Sequence, residues 1–265
     1  MPQRALSAFT LSERASSESA GAASERPPLS RLGSEPWRAA WEFMTHVIAP
    51  DPIAIGDGHP VIIFPGMGAD GHSVAPLRKH CDKLGYTAMD WGQGFNTGPQ
   101  GDVDKWMEKL AASTAAILDR HDGQATLIGW SLGGLYAREI AKVLTQRVRQ
   151  VITIGTPFNA SADQTNVDWL YRLLSDASAK MNPALGNRLR TPPPVPTTSI
   201  YSRTDGVVAW QSCRHDIVSA EVQDIEVESS HCGMGWNPAV LGVIANRLGQ
   251  RPGRWRPYVG NGLLG

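Results

Sequence analysis

Downstream of Pro60 the apolar residues fall in short continuous runs separated by stretches of helical period. Val61-Ile62-Ile63-Phe64 ends in Pro65-Gly66-Met67-Gly68 and is followed by a helical stretch around Val74 to Leu84. The alternation recurs as Tyr86 to Trp91, Val103 to Leu118, Ala125 to Ile128, Leu132 to Leu144 and Val151 to Ile154. Continuous apolar runs bounded by Gly and Pro suit strands covered on both faces. Strands that alternate with helices imply βαβ units and a parallel sheet. The expected class is α/β, with a mostly parallel central sheet and helices on both faces. Between Phe158 and Pro196 the pattern lapses, leaving an amphipathic piece (Trp169, Leu170, Leu173, Leu174) and the Pro-rich stretch from Thr191 to Pro196. Such a break predicts a short cap insertion at about 158–196, covering one sheet edge. The pattern resumes with Thr198 to Tyr201, Asp224 to Val227 and a last helix from Pro238 to Leu248. The main domain is thus expected over 51–250, with a loose Gly/Pro/Arg-rich tail over 251–265.

The amino-terminal part reads differently. Ser, Ala, Glu and Arg dominate from Ser7 to Ser34, so burial cannot offset ordering entropy there, and residues 1–34 are expected to form a disordered leader. Over 35–50, Trp37, Ala40, Trp41, Met44 and Ile48 recur at helical spacing, with Pro36 suited to a first turn. This amphipathic helix is expected to dock its apolar stripe on the main domain; the other reading is a surface for lipid or substrate.

Composition narrows the partners. Lys+Arg and Asp+Glu are both 25, so no net field attracts a polyanion and nucleic acid is disfavoured. No apolar run approaches the roughly 18 residues of a membrane helix, and Met1 to Arg14 lacks a secretory apolar stretch, so the default location is the cytoplasm. Cys81, Cys213 and Cys232 have neither the number of a disulfide scaffold nor the spacing of a zinc site. No metal is expected.

Candidate chemistry centres on Gly129-Trp130-Ser131-Leu132-Gly133-Gly134, set between a strand pattern and a helix pattern. A serine in a tight strand-to-helix turn exposes its hydroxyl, and glycine at 129 and 133 removes side chains that would collide with neighbouring backbone. The hydroxyl needs a base, itself oriented by a carboxylate. Asp205 follows the run from Thr198 to Tyr201, and His231 follows the run from Asp224 to Val227, in the chain order Ser, Asp, His. His215 is the competing base and Asp163 the alternative acid. An oxyanion needs backbone donors. The N–H of Leu132 is one, and the second is assigned to Met67 in the Gly-rich turn, with Gly68 beside it as the alternative.

With these parts in order, the chain from about Pro60 to Leu248 resembles the α/β-hydrolase fold superfamily, in particular its bacterial lipase- and esterase-like members. The residues that carry the likeness are Phe64-Pro-Gly-Met-Gly68, Gly129-Trp-Ser-Leu-Gly-Gly134, Gly155-Thr-Pro-Phe158, Ser202-Arg-Thr-Asp-Gly206 and Ser230-His-Cys-Gly233. The resemblance implies a triad of Ser131, Asp205 and His231, no cofactor, and a cap inserted after Gly155-Thr-Pro. Many esterases begin the oxyanion loop with His-Gly, where this chain has Pro65-Gly66.

Trp91, Phe95, Trp130, Phe158 and Trp210, with Met67, are expected to line an acyl pocket, which points to a small-molecule or lipid-like ester as substrate. The expected reaction is ester hydrolysis through an acyl-enzyme. Acyl transfer by the same residues and a non-catalytic binding scaffold are the alternatives. The spacing of Cys213 from Asp205, and of Cys232 from His231, also suggests that these two cysteines are neighbours able to form a disulfide. Two reduced thiols are the other outcome. The oligomeric state is not specified by the sequence.

Overall fold

The computed structural model describes residues 26–160, 183–216 and 219–260. Six strands, β1 (Pro60–Phe64), β2 (Thr87–Asp90), β3 (Ala125–Trp130), β4 (Val148–Ile154), β5 (Thr197–Tyr201) and β6 (Val222–Glu226), form one sheet in the order β2-β1-β3-β4-β5-β6. All neighbouring pairs run parallel. Alternate residues of these buried strands face two separate cores. Ile62, Phe64, Leu127 and Val151 pack with α3 (Val103–Leu118) and α4 (Leu132–Val143) on one face. Val61, Ile63, Ile128, Ile152 and Ile154 pack with α2 (Ala75–Lys83) and α6 (Pro238–Leu248) on the other. The strand and helix pattern of the sequence is recovered, with β3 and β4 each extended beyond the predicted runs.

The chain passes outward from β1 to β2 and then returns to the other side of β1 for β3. This reversal makes the carboxyl ends of β1 and β3 a topological switch point, the position at which open parallel sheets have the crevice that holds their ligands. Phe64 pairs with Gly129 in that register, so the turn after β1 lies against the turn after β3.

Three expectations need correction. Helix α1 spans Leu29–Ile48, so it begins inside the segment read as leader, and Pro36 lies within it rather than in its first turn. Its orientation is also reversed. Trp37 (82% exposed), Trp41 (73%), Met44 and Ile48 face outward, whereas Glu35 (2%) and Glu42 (9%) are buried with Ala39. The helix is held by polar contacts: Arg31 Nη1 donates to the Arg203 carbonyl at 2.6 Å, Arg38 Nη2 donates to Thr204 Oγ1 at 2.7 Å, and the two glutamates bond to the loops described below. Thirdly, the tail is tied down as far as Tyr258. The Gln223 side chain bonds both the N–H and the carbonyl of Tyr258, at 2.7 and 2.9 Å, and Arg247 donates to the Arg256 carbonyl at 2.9 Å.

Residues 161–182, with Asp163 and most of the expected cap, lie outside the described residues, as do residues 1–25 of the leader. The described end of the insertion forms α5 (Pro183–Arg190), where Arg188 pairs with Glu139 of α4 at 2.9 Å.

The reversed helix makes a prediction. Trp37→Ser and Trp41→Ser should each change the unfolding free energy by no more than about 0.5 kcal/mol. Glu42→Ala strands buried donors of Ser229 and Ser230 and should cost about 1–3 kcal/mol for each. Urea denaturation of the three variants tests this, and tryptophan variants as destabilised as Glu42→Ala would overturn the orientation.

Candidate active site

Ser131 is the residue on which the crevice turns. Its φ of 53° makes it the one non-glycine residue with positive φ among the described residues. The turn survives because neighbouring backbones come within contact of it. A methyl on Gly133 would overlap the Phe64 carbonyl, and one on Gly129 would overlap Gly134 Cα. Gly134 is equally constrained, against Thr156, which the sequence reading did not single out. The Ser131 N–H donates to the Ile154 carbonyl at 2.8 Å, tying the turn to the end of β4.

The turn after β1 closes the other side. Gly66 faces Ser131 Cβ, so that a methyl there would sit 3.3 Å from it. Asn96 holds this turn, donating from Nδ2 to the Pro65 carbonyl at 2.9 Å and accepting the Gly68 N–H on its own carbonyl at 2.8 Å. Leu132 opens α4, so its N–H has no acceptor within the helix.

Asp205 and His231 come together from the loops after β5 and β6. Asp205 Oδ1 accepts the N–H groups of Val207 and Val208 at 2.8 and 2.7 Å, and Oδ2 accepts His231 Nδ1–H at 2.7 Å. Both residues are buried. With Nδ1 donating, the neutral imidazole keeps Nε2 as an acceptor. Gly155, next after the Ile154 carbonyl that receives the Ser131 N–H, lies against the same ring; a methyl on it would be 3.1 Å from Nδ1. Burial is the largest single influence on His231 and lowers its pKa, but the charge and hydrogen bond of Asp205, joined by the charge of Glu35, outweigh it and leave the pKa above the ordinary 6.5.

Sequence reasoning missed what braces these loops. Glu35 Oε1 accepts the N–H of Gly206 at 2.8 Å and of His231 at 3.0 Å, and Oε2 accepts the N–H of Cys232 at 2.9 Å. Glu42 accepts the Ser230 N–H at 2.7 Å and the hydroxyls of Ser229 and Ser230 at 3.0 and 3.1 Å. Glycine at 206 and 233 leaves room for the helix: a methyl on Gly206 would lie 2.6 Å from Arg31 backbone, and one on Gly233 would overlap Glu42. The available signal was the spacing of Glu35, Arg38, Ala39 and Glu42, which share one helical face.

The expected pocket is not assembled as predicted. Trp91 is buried against Tyr136, stacked at 5.9 Å, with its indole N–H on the Gly94 carbonyl. Trp130 donates its indole N–H to the His231 carbonyl at 3.2 Å and meets Trp236 edge-on, so it supports the histidine loop. Phe158 packs against Arg138 and His215, which are bonded to each other. These three are packing residues. Phe95 is 60% exposed and Met67 is partly exposed, both on segments flanking the crevice, while Trp210 stacks on Tyr201 outside it. His215 is excluded as the base of Ser131, because its Nδ1 bonds Asp224 at 2.6 Å and its Nε2 accepts from buried Arg138 at 2.8 Å. Among the described residues no cluster of three or more His, Cys, Asp and Glu could hold a metal ion, and no helix is long and apolar enough to cross a membrane.

The suggested disulfide is absent and all three cysteines are free. Cys213 packs in a small core with Tyr201 and Val208, whereas Cys232 is exposed and anchored by Glu35.

Comparison with known proteins agrees with the fold. The family model of the alpha/beta hydrolase fold matches residues 59–182. Among curated relatives, a pimeloyl-[acyl-carrier protein] methyl ester esterase of Shewanella woodyi is 28% identical over 139 residues, 51% of this chain and 52% of that one. A protein of the same name from Aeromonas hydrophila is 30% identical over 105 residues, 38% of this chain and 39% of that one. The chain thus spans about half the length of the first and less of the second. Among solved structures, Aspergillus fumigatus lipase B superposes with a TM-score of 0.57 at 17% identity, over 78% of this chain and 56% of that one. A metagenome-derived lipolytic enzyme gives 0.51 at 18% identity, over 73% and 93%. The chain has the α/β-hydrolase fold, and the family model of that fold matches somewhat less than half of it. Its curated relatives are bacterial esterases.

Thiol titration checks the cysteine assignment. Denatured, unreduced protein should release three thiols. In the native protein Cys232 should react first, yet more slowly than an ordinary thiol, since desolvation and then the Glu35 charge push its pKa up to about 11. A total below three would restore the disulfide.

Proposed function

We propose that the protein is a carboxylic ester hydrolase that works through an acyl-enzyme, with Ser131 as nucleophile, His231 as general base and then acid, and Asp205 as the orienting carboxylate. The observation that carries this reading is a buried Asp205–His231 couple, bonded at 2.7 Å, whose ring lies against Gly155, the residue after the Ile154 carbonyl that holds the N–H of a serine at φ 53° in a strand-to-helix turn. The esterase names of the curated relatives support it, and their matched segments cover up to about half of this chain.

The reaction follows from the groups present. Ser131 Oγ attacks the ester carbonyl while its proton passes to His231 Nε2, and the N–H groups of Leu132 and Met67 receive the resulting oxyanion. Collapse of the tetrahedral species breaks the bond to the alcohol oxygen, which leaves with the proton from His231. Water then repeats the sequence, giving its proton to His231 and its oxygen to the acyl carbon. The second collapse returns the proton to Ser131 and releases the acid. The imidazolium formed in each half-reaction lies beside the Asp205 carboxylate, which lowers its energy and keeps the ring in the tautomer the attack needs. The negative field that holds the His231 pKa above 6.5 favours this charged form. The substrate class is an acyl ester; the chain-length range is read by the same assay that tests the activity.

That assay is hydrolysis of p-nitrophenyl esters from short to long acyl chains. Ser131→Ala should lower turnover on the order of a millionfold, and Asp205→Asn about ten-thousandfold. For the wild type kcat/KM should rise with pH to a plateau, because neutral His231 is the active base, and the midpoint should lie above 6.5. Turnover that survives Ser131→Ala would refute the assignment. Ester products formed from added alcohols would move the reading to acyl transfer.

A further inference from the structure

The structure assigns Glu35 a role beyond packing: we infer that it is a positioning residue that holds the acid loop and the histidine loop in one geometry from a helix outside the sheet. The inference rests on the hydrolase reading of Ser131, Asp205 and His231. It is carried by the convergence of three backbone N–H groups on one buried carboxylate. A single oxygen, Oε1, accepts from Gly206, the neighbour of Asp205, and from His231 itself, so the two residues of the acid–base pair are referred to the same atom. The other oxygen takes Cys232 N–H, which fixes the far side of the histidine. An ionised carboxylate is acceptor-only and suits three donors with no acceptor among them.

Asp205 and His231 sit on loops that follow different strands, and errors in either loop add in the distance between them. Ser202 already joins the loops at one point, donating from its hydroxyl to the Ser229 carbonyl at 2.8 Å. Glu35 supplies a second point next to the reacting groups themselves, and two points fix an orientation that one leaves free. The charged and titratable groups facing His231 are Asp205 from the β5 loop and Glu35 from α1. Further out stand Glu42 on Ser229 and Ser230, Arg38 at 3.9 Å from Glu35, and the Cys232 thiol. Glu35 therefore acts in two ways: its bonds set the loop geometry, and its negative charge favours the imidazolium. A plain packing residue would do neither.

The test compares wild type, Glu35→Gln, Glu35→Asp and Glu42→Gln in the full chain. NMR titration of isotope-labelled histidine, with His231 assigned by its loss in a His231→Asn variant, reads the imidazole midpoint and needs no turnover. Rates of p-nitrophenyl ester hydrolysis and of Ser131 labelling by a fluorophosphonate read reactivity. Glu35→Gln should lower the His231 midpoint and reduce kcat and the labelling rate about 10- to 100-fold, the effect of losing a hydrogen bond to a charged group. KM should stay unchanged. Glu35→Asp keeps the charge but shortens the reach, so the midpoint should hold while kcat falls. Glu42→Gln removes a charge from the same helix without touching His231 and should leave the midpoint in place.

An unchanged His231 midpoint together with an unchanged kcat in folded Glu35→Gln would overturn the inference, as would a kcat loss that only tracks the unfolded fraction. If Glu35→Gln does not fold, Glu35→Asp decides, and wild-type kcat in that variant would overturn the positioning role. A wild type that hydrolyses no ester and takes no label would defeat the hydrolase reading, while the NMR comparison would still report whether Glu35 controls His231.

Discussion

Ser131 holds a backbone conformation that costs a non-glycine residue about 1–3 kcal/mol, and the surroundings must over-determine it. They do so by contact of main chain on main chain. Gly133 meets the end of β1, Gly129 meets Gly134, and the Ser131 N–H is held by the end of β4. Neither glycine contact survives a side chain, and the contacts to β1 and β4 require those strands to lie beside β3 in the observed parallel register. The central sheet is therefore more than a scaffold for the crevice, because its register is what keeps the serine turn strained.

A second constraint falls on the other half of the site. Loops after β5 and β6 leave backbone N–H groups buried beside Asp205 and His231, and a buried N–H without an acceptor is costly. Here the acceptors come from α1, through Glu35 and Glu42. The helix consequently turns its polar face inward. A carboxylate taken out of water loses hydration, and several hydrogen bonds are required to offset that loss; the two glutamates accept three hydrogen bonds each from these loops. The apolar row from Trp37 to Ile48 is left outside as the consequence.

This explains which parts of the molecule were legible in the sequence. β1, β3 and β4 were readable because both their faces are buried, so each contains a continuous apolar run. The triad candidates were readable because the glycines around Ser131 and the loop positions of Asp205 and His231 are tied to strand ends. The orientation of α1 was not, since reading a helix by its apolar stripe assumes that burial is driven by hydrophobic area. In α1 the inward face is selected instead by donors on the distant segments Ser202–Gly206 and Ser229–Cys232, which local periodicity does not encode. The aromatic pocket failed for a related reason: Trp130 and Trp91 are close in sequence to crevice turns, yet each indole N–H finds a backbone carbonyl in the interior and the rings follow it.

The two constraints meet at His231. On one side its ring rests against Gly155, next to the carbonyl that fixes the Ser131 turn, and on the other its backbone is fixed by Glu35. The serine half of the site is thus defined by the sheet and the histidine half by a helix added before the sheet begins. A change that loosened α1 would leave the strained serine intact and disturb only the Asp205–His231 pair, whereas a shift between β1 and β3 would release the serine and leave Asp205 and His231 bonded. The separation arises because parallel strands fix what lies at their own ends but leave the long loops after β5 and β6 to be fixed by something else. In this chain that is a buried carboxylate reaching the loops from the polar face of its first described helix.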